Sequence, residues 1–283
     1  MATFNNFATL RYRGITTVSN LVTGEVVEAL RLTKTAVTER YTQRGHVAFV
    51  LSITNSGSGE VTGLGLTDDL GAYSCAAGTV TPLAYSEGSM KCYVNGVLQP
   101  SPAVTAGPPL QITGITVPGG GSMILVYDVV TTEFAPLACR ESIVNTATLS
   151  GGNLSGPLHT SAETTPDCGA NLSVSKFISP SVVTEDGQLT YTFVIANYGS
   201  TPAEVGDGVA VADTFDPVLR DIAVTLDGET MPQNQYAYST ATGIFATNAG
   251  AIVVPGAVCT QEKDTGVWTT TPGTVTLTVS GTI

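Results

Sequence analysis

Charged residues are scarce in this sequence, and basic residues are scarcer than acidic ones. The 283 residues include 11 Lys and Arg against 23 Asp and Glu, which gives a formal net charge of −12. Because binding of nucleic acid needs clustered basic side chains that neutralise phosphates, we expect no nucleic-acid partner. Anionic membrane surfaces are disfavoured for the same reason.

Long apolar runs are also missing. No run reaches the ~20 residues that a membrane-spanning helix needs, so we expect no membrane insertion. The first residues, Met1 to Leu10, have neither a basic start nor an apolar core, and they do not resemble a secretory signal. An extracellular location therefore requires a signal that has been removed or replaced, or another route out of the cell, such as lysis of a mother cell.

Patterns that bind metals or build an enzyme active site are absent from the sequence too. His46 and His159 are its two histidines, they lie near expected loops, and no Ser/His/Asp spacing surrounds them. No Cys-x-x-Cys pair or His/Cys cluster occurs, so we expect no metal, no cofactor and no catalytic site. The five cysteines could be buried free thiols or form disulfides. Because their number is odd, one cysteine would be left for an intermolecular disulfide. The disulfide candidates are Cys75, Cys92, Cys139, Cys168 and Cys259.

The residues that are abundant indicate an all-β protein. Thr, Val, Gly and Ser dominate, and runs of good helix formers are scarce. Side chains branched at Cβ fit a pleated sheet surface better than a helix. The length suggests about two domains.

An internal repeat supports that number. Leu32–Ala36 resembles Val174–Ile178, and an extended apolar strand ending in a Gly/Ser turn follows each of them. Asn95-Gly and Asp227-Gly then occupy corresponding places as hairpin-turn signals. Short strands separated by regular turns predict a sandwich, so two copies predict two tandem immunoglobulin-like β-sandwiches.

The two predicted domains differ in completeness. We place an N-terminal arm at 1–25, the first domain at 26–151, a linker at 152–169 and the second domain at 170–283. The first domain continues into a final strand that begins at Ile143, whereas no counterpart follows Val279 in the second.

The missing strand has a match at the front of the chain. Thr3–Arg11 resembles the strand from Ile143, with Asn6 aligned to Asn145, and 12–26 resembles 152–165. We therefore predict a donor strand whose inward face carries Phe4, Asn6, Ala8 and Leu10. A sandwich that lacks a strand exposes its core and unpaired edges, and a strand from a neighbouring molecule can fill the gap. Such a head-to-tail contact builds a filament unless it closes into a ring.

The set of motifs resembles a known family. A lysine strand, the hairpin turn, an aspartate strand and the Asn-Thr-Ala-Thr sequence at Asn145 together resemble the conserved repeat domain of bacterial and archaeal surface proteins, the domain of unknown function eleven. The set is also similar to the Cna-type domains of Gram-positive adhesins and pilins. The resemblance covers about Ala29 to the end, plus the arm. It implies an immunoglobulin-like fold at a cell or spore surface or in an extracellular fibre. It does not indicate a ligand.

One constellation carries chemistry. Strand parity places Lys34, Asp68 and Asn145 on the apolar stripes of the first domain. In the second domain, strand parity also places Lys176 and Asp213 on the apolar stripes. Asn6 of the arm supplies the amide there. Desolvation lowers the pKa of a lysine and raises that of a carboxylic acid, so a neutral amine can attack the amide and form an isopeptide bond.

The resemblance supports this bond, because Cna-type domains are known for it. Asp69 is an alternative to Asp68, although parity favours Asp68. The residues also allow an uncrosslinked buried pair, or a lysine at a strand end that reaches solvent.

These observations lead to a functional hypothesis. We expect a non-enzymatic structural subunit of a self-assembling filament or appendage, extracellular on a bacterial cell or spore surface, whose partner is a second copy of itself. The alternative is an adhesin or binding module whose loops contact a host or glycan ligand.

Overall fold

The computed structural model describes residues 2–26, 29–152 and 154–283, and their regular structure is almost entirely β. Met1, Val27, Glu28 and Asn153 lie outside the described residues, and the predicted junction between the arm and the first domain falls on two of them. The chain divides into two compact units. Unit one comprises the described residues of Met1–Ser74, Thr79–Thr132 and Ile143–Thr164, and unit two comprises Cys75–Gly78, Glu133–Ser142 and Thr165–Ile283.

The helices in the described part of the chain are two short 3-10 turns, Val205–Asp207 and Gln233–Gln235. None of the helices there is both long and apolar enough to cross a membrane.

The N-terminal arm is a β-hairpin, whereas the sequence was interpreted as a single donor strand. Strand β1 (Ala2–Asn6) pairs with β4 (Val22–Val26), and β2 (Thr9–Tyr12) pairs with β3 (Ile15–Val18). The two-residue turn at Arg13-Gly14 has positive φ at both positions, as a tight hairpin turn requires. The return strand carries one extra residue between the two paired segments, which is a β-bulge. The segment 12–26, which resembles 152–165 in sequence, is therefore a second strand.

The hairpin has one largely apolar face and one mixed face, and both are exposed, since Phe7 and Val18 on the mixed face are 57% and 58% exposed. Strand alternation and cross-strand pairing place five apolar side chains on one face, each between 53% and 72% exposed: Phe4, Leu10, Tyr12, Ile15 and Val22. Asn6 and Ala8 lie on the same face and are exposed as well. On the opposite face, Thr23 donates a hydrogen bond to Asn5. This amphipathic element has no core of its own to cover.

Unit one also contains a two-sheet sandwich with complete sheets. Sheet A has the strand order β13-β12-β16-β7-β5, with β11 beside β16, and sheet B has the order β14-β15-β8-β17-β18-β6. The strands of these sheets are β5 Leu30–Ala36, β6 Arg40–Tyr41, β7 His46–Asn55, β8 Val61–Asp68, β11 Leu83–Tyr85, β12 Lys91–Val94, β13 Val97–Gln99, β14 Ala103–Thr105, β15 Leu110–Val117, β16 Ser122–Thr131, β17 Ile143–Gly151 and β18 Leu158–Pro166. Two further strands, β9 Tyr73–Cys75 and β10 Gly78–Val80, lie outside both sheets. Alternate residues of β7, such as Phe49 and Leu51, are fully buried between the sheets.

The segment 152–169, interpreted as a linker, contains β18. This strand pairs with β17 from Ile143↔Thr164 to Leu149↔Leu158 and lies between β17 and β6 in sheet B. The strand is hard to recognise in the sequence, because most of its residues are small or polar and Leu158 is its one large aliphatic residue.

Unit two repeats this sandwich, but only in part. Sheet C has the order β19-β20-β28-β22-β23, which reproduces the order of sheet A apart from β11. Sheet D has the order β21-β25-β24 and corresponds to the β8-β15-β14 part of sheet B. The strands are β19 Leu172–Ser179, β20 Gln188–Asn197, β21 Ala212–Thr214, β22 Arg220–Leu226, β23 Glu229–Thr230, β24 Tyr236–Tyr238, β25 Ile244–Thr247, β26 Val258–Gln261, β27 Trp268–Thr271 and β28 Gly273–Thr282.

The places of β17, β18 and β6 beside β21 are empty in the described residues of unit two. Sheet D therefore ends at β21, which pairs on one side with β25 and has an open edge on the other. The chain is thus two immunoglobulin-like β-sandwiches, of which the second lacks the strands at one edge.

The repeated hairpin turns match the sequence prediction. Asn95 and Asp227 both have a φ of 49°, and each is followed by a glycine with positive φ. Each also accepts a hydrogen bond through its side-chain oxygen, from the backbone N–H of Ser122 and of Thr276 respectively. The same local chemistry therefore fixes the β12-β13 and β22-β23 turns.

Two of the five candidate cysteines form a disulfide. Cys139 and Cys168, both in unit two, are bonded with their Cα atoms 5.8 Å apart, while Cys75, Cys92 and Cys259 are free. Burial raises the pKa of the Cys92 thiol, so Cys92 is poorly reactive in the folded protein.

We expect alkylation to reproduce this division. Unfolding in denaturant without reductant exposes three free thiols to iodoacetamide, and reduction beforehand adds two more. Intact mass counts the adducts, and the Cys168→Ser variant is the control, because it leaves Cys139 free without reductant. Five adducts on the unreduced protein would contradict the disulfide.

Candidate functional site

Lys34 lies in the core of unit one. Strand β5 turns Leu30, Leu32 and Lys34 inward, and the Lys34 side chain is completely buried. Its Nζ lies 2.6 Å from Oδ2 of Asp68, whose side chain is also completely buried. Because Lys34 belongs to sheet A and Asp68 to sheet B, this ion pair joins the two sheets across the core. A buried charge needs such a partner, since an isolated one would be very costly.

The end of strand β8 positions Asp68. The chain turns sharply after it, with positive φ at Leu70 and Gly71. The Leu70 backbone N–H donates a 3.0 Å hydrogen bond to Asp68 Oδ1, and the Tyr127 hydroxyl donates a short one to Oδ2. Three donors therefore surround this carboxyl group.

Asp69, the alternative acid, has a different role. Its Oδ1 accepts hydrogen bonds from the backbone N–H groups of Gly71 and Thr146 at 2.8 Å each. Asp69 thus holds the turn after β8 against β17, whereas Asp68 faces Lys34, as strand parity indicates.

Tyr127 is a site residue that the sequence did not reveal. It is fully buried on the inward face of β16 and stacks on Phe49, with ring centroids 5.8 Å apart. Its counterpart in unit two is Val279, because Tyr127 pairs with Phe49 and Val279 pairs with Tyr191, the residue equivalent to Phe49. The repeat comparison therefore offered no signal for it, and only the inward parity of β16 could have suggested it.

The electrostatics of the site follow from its burial. Desolvation lowers the pKa of Lys34 below its ordinary value, although the neighbouring Asp68 opposes this shift. Desolvation raises the pKa of Tyr127 well above its ordinary value, and the charge of Asp68 adds to this shift while the nearby Asn145 amide opposes it. Tyr127 therefore stays a neutral donor, and Lys34 is more easily deprotonated than an exposed lysine.

Asn145 completes the group and is the one member without a good partner. It is 0% exposed on β17, and neither its side-chain nitrogen nor its side-chain oxygen makes a hydrogen bond to another described residue. A buried amide left unsatisfied costs about 1–3 kcal/mol, so native proteins rarely keep one without a reason.

The corresponding pair in unit two is formed but not covered. Lys176 and Asp213 make an ion pair, and their side chains are 41% and 19% exposed. The Lys176 Nζ lies 4.5 Å from the centre of the Tyr191 ring, which is a cation–π contact. Val174 is 60% exposed, whereas its equivalent Leu32 in unit one is 8% exposed.

An open groove runs along this pair. It has a volume of about 490 Å³ and lies between β19 and β21. Its apolar and polar lining includes Leu172, Val174, Lys176, Phe193, Val211 and Asp213. In unit one the equivalent region is closed by β17, whose Ala147 and Leu149 pair with Asp68 and Leu66.

The predicted site residues thus fall into two groups. The structure brings Lys34, Asp68 and the buried Asn145 together in one core. It also brings Lys176 to Asp213, while Asn6 is exposed on the apolar face of the hairpin.

We expect removal of the buried acid to be far more costly than removal of the exposed one. In protein whose Lys34 has not reacted with Asn145, Asp68→Ala leaves the Lys34 ammonium and the Tyr127 hydroxyl without their shared acceptor, which should lower the free energy of unfolding of unit one by about 3–5 kcal/mol. The matched control Asp213→Ala should cost unit two less than about 1 kcal/mol, because that pair is partly solvated. Calorimetry of the two unfolding transitions measures both, and equal losses would contradict the difference in burial.

No known protein family matches the sequence, and no curated protein matches it. The resemblance to the domain of unknown function eleven therefore finds no support in these comparisons. Among solved structures, the chain is similar to the major pilin subunit of Bacillus cereus, with 11% identity and a TM-score of 0.39 over 96% of this chain and 73% of the pilin.

Two further structures illustrate the range of these similarities. A 35 kDa C-terminal fragment of a major pilin of Streptococcus agalactiae has 15% identity and a TM-score of 0.37, over 82% of this chain and 84% of the fragment. The collagen-binding subdomain of the Enterococcus faecalis surface protein ACE has 8% identity and a TM-score of 0.34, over 50% of this chain and 99% of the subdomain. These likenesses are weak, and the fold assignment rests on the strand order of the chain itself.

Proposed function

We propose that this protein is a structural subunit of an extracellular filament or appendage on a bacterial cell or spore surface. In this proposal, the N-terminal hairpin of one molecule enters the open groove of unit two in the next molecule. One observation carries the proposal: unit two has an uncovered apolar groove where unit one has strand β17, and the hairpin carries an exposed apolar face of matching sequence.

The register of the proposed contact follows from unit one. There Ala147 lies opposite Asp68, and Asn145 lies two residues further along the same face. Placing Ala8 opposite Asp213 puts Asn6 beside the Lys176–Asp213 pair and Leu10 opposite Val211. The amphipathic hairpin thereby buries its apolar face, and β21 gains a partner for its open edge.

An isopeptide bond within unit one is the proposed fate of Lys34. The neutral Nζ attacks Cγ of Asn145, a new Nζ–Cγ amide bond forms, and the Cγ–Nδ2 bond breaks. A proton from Nζ passes to Nδ2 through the Asp68 carboxyl group, and ammonia leaves. The lowered pKa of Lys34 supplies the nucleophile, and the unpartnered amide of Asn145 is consumed by the reaction.

The equivalent bond in unit two would join two molecules. Lys176 and Asp213 are partly solvated before the hairpin arrives, and among the described residues no amide side chain is yet beside them. Docking of the hairpin would cover the pair and bring Asn6 to it. Because the donor and the acceptor lie on different molecules, each bond would extend a head-to-tail chain, and the protein would act on no other substrate.

The bond within unit one is expected to show in the mass of the protein. A molecule with this bond is lighter by about 17 Da, the mass of one ammonia. The variants Lys34→Ala and Asn145→Ala should both show the full calculated mass under denaturing conditions. Asn153→Ala and Asn55→Ala serve as controls for unrelated loss of ammonia, and an unchanged mass of the starting protein would exclude the bond.

The bond between molecules is expected to give a ladder of bands. On a gel run after boiling with reductant, oligomers should persist in the unaltered protein and disappear in Asn6→Ala and Lys176→Ala. Asn5→Ala is the matched control, because Asn5 lies next to Asn6 but on the opposite face of the hairpin.

The Asn5→Ala control and electron microscopy of the filaments distinguish a covalent joint from a noncovalent one. Filaments that persist by electron microscopy in Asn6→Ala would show strand insertion without a covalent bond. Loss of the ladder in Asn5→Ala as well would argue against a specific role of Asn6. A Leu10→Asp protein that still forms filaments would overturn the proposed joint, whereas an unaltered protein that forms no filaments would favour a binding module.

A further inference from the structure

The vacancy in unit two is wider than one strand. Sheet B continues beyond β8 through β17, β18 and β6, and sheet D stops at β21. In unit one, β17 and β18 form an antiparallel hairpin over seven residue pairs. Filling the groove with a single strand would therefore leave an open edge where β18 lies in unit one.

The counterpart of β6 is present in unit two but forms no strand. Residues 30–55 and 172–197 correspond at a constant spacing of 142, since Leu30 pairs with Asn55 and Leu172 pairs with Asn197. Arg40–Tyr41, which is β6, therefore corresponds to 182–183.

The turn that follows supports this correspondence. Arg44 and Asp186 have nearly equal positive φ of 59° and 62°. Gly45 and Gly187 donate to the carbonyls of Thr42 and Thr184 at 2.9 Å each. The local framework of β6 is thus preserved in unit two, with no strand beside it.

The two residues at this place, Val182 and Val183, are apolar but incompletely buried. Val182 is 86% exposed, and Val183 packs only partly against the core of unit two. In unit one, β6 pairs with β18, and Tyr41 is 2% exposed. An exposed valine beside a partly buried one, at the position of a sheet strand, is what an absent neighbouring strand would leave behind.

The return strand β4 of the arm has the same pattern of inward and outward residues as β18. Val22 pairs with Asn6 as Ala162 pairs with Asn145, so Val22 corresponds to the half-buried Ala162. Its neighbour Thr23 corresponds to Glu163, which is exposed on the outer side of sheet B. Apolar Val22 therefore faces the same side as Asn6, and polar Thr23 faces away from it.

We propose that the arm docks as an intact hairpin, with return strand β4 as a second donor strand that pairs with Val182–Val183 of the neighbouring molecule. This inference rests on the proposed function, because it assigns a second contact to the same joint. The joint then adds two strands to sheet D, orders the valine pair into a third, and restores the full strand order of sheet B.

Hydrogen exchange tests the two contacts separately. The amides of Ala210 and Ala212 lie on the open edge of β21, where the first donor strand would pair, and Val182 and Val183 mark the second contact. Filaments of the full chain are compared with the full-length Leu10→Asp protein as the unassembled reference. We expect exchange in filaments to slow at least about tenfold at both places, since both gain strand hydrogen bonds.

Two neighbouring substitutions provide a matched pair in the return strand. Val22 and Thr23 belong to the same exposed hairpin strand, so neither substitution removes a core side chain of the free molecule. Val22→Asp places a carboxylate on the docking face and should slow growth of the crosslinked ladder at least about tenfold. Thr23→Asp places the same charge on the outer face, where Glu163 already stands in unit one, and should change the rate less than about twofold.

The outcomes distinguish this inference from the proposed function. Slowed exchange at Ala210 and Ala212 without slowing at Val182 and Val183 would overturn the second donor strand and leave insertion of the first strand standing. Equal growth rates for Val22→Asp and Thr23→Asp would also overturn it. Unchanged exchange at both places in assembled protein would overturn the proposed joint itself.

Discussion

Burial of the lysine–aspartate pair is the constraint on which the rest of this architecture depends. Lys34 and Asp68 come from opposite sheets and meet in a core that excludes water. Such a pair is tolerable only with close geometry and further hydrogen bonds, which Tyr127 and the Leu70 backbone supply. It is also buried only because β17 closes sheet B. Where no strand takes that place, beside β21, the equivalent pair of Lys176 and Asp213 is open to solvent.

Much of this arrangement could be predicted from the sequence. Alternation along the strands gave the inward face of Lys34, Asp68 and Asn145 correctly, because period-2 parity holds wherever one face of a sheet is buried. The Asn95-Gly and Asp227-Gly turns were predicted for a similar reason, since few other residues adopt positive φ easily. The tandem sandwiches followed from the repeat of these signals.

Other features were beyond the reach of the sequence. The segment that contains strand β18 predicts only a continuation of the last strand and a short linker, because its small and polar residues carry no apolar alternation. The arm was interpreted as one strand, although the Arg13-Gly14 turn folds it back on itself. Tyr127 has no counterpart in the second repeat, and its hydrogen bond to Asp68 depends on which strands of the two sheets face each other. Long-range pairing of this kind is set by the whole fold, whereas local residue patterns report mainly on turns and faces.

The difference in exposure between the two units suggests an order of events in assembly. In unit one the reacting groups belong to one folded core, so the proposed bond needs only folding. In unit two the side chains of Lys176 and Asp213 are still 41% and 19% exposed, and the amide proposed to react with Lys176 is not yet beside them. A hairpin docked one residue out of register would turn its apolar face away from the groove and leave Asn6 pointing to solvent. The covalent step would therefore follow only correct docking, and a misplaced neighbour could still dissociate before it became permanent.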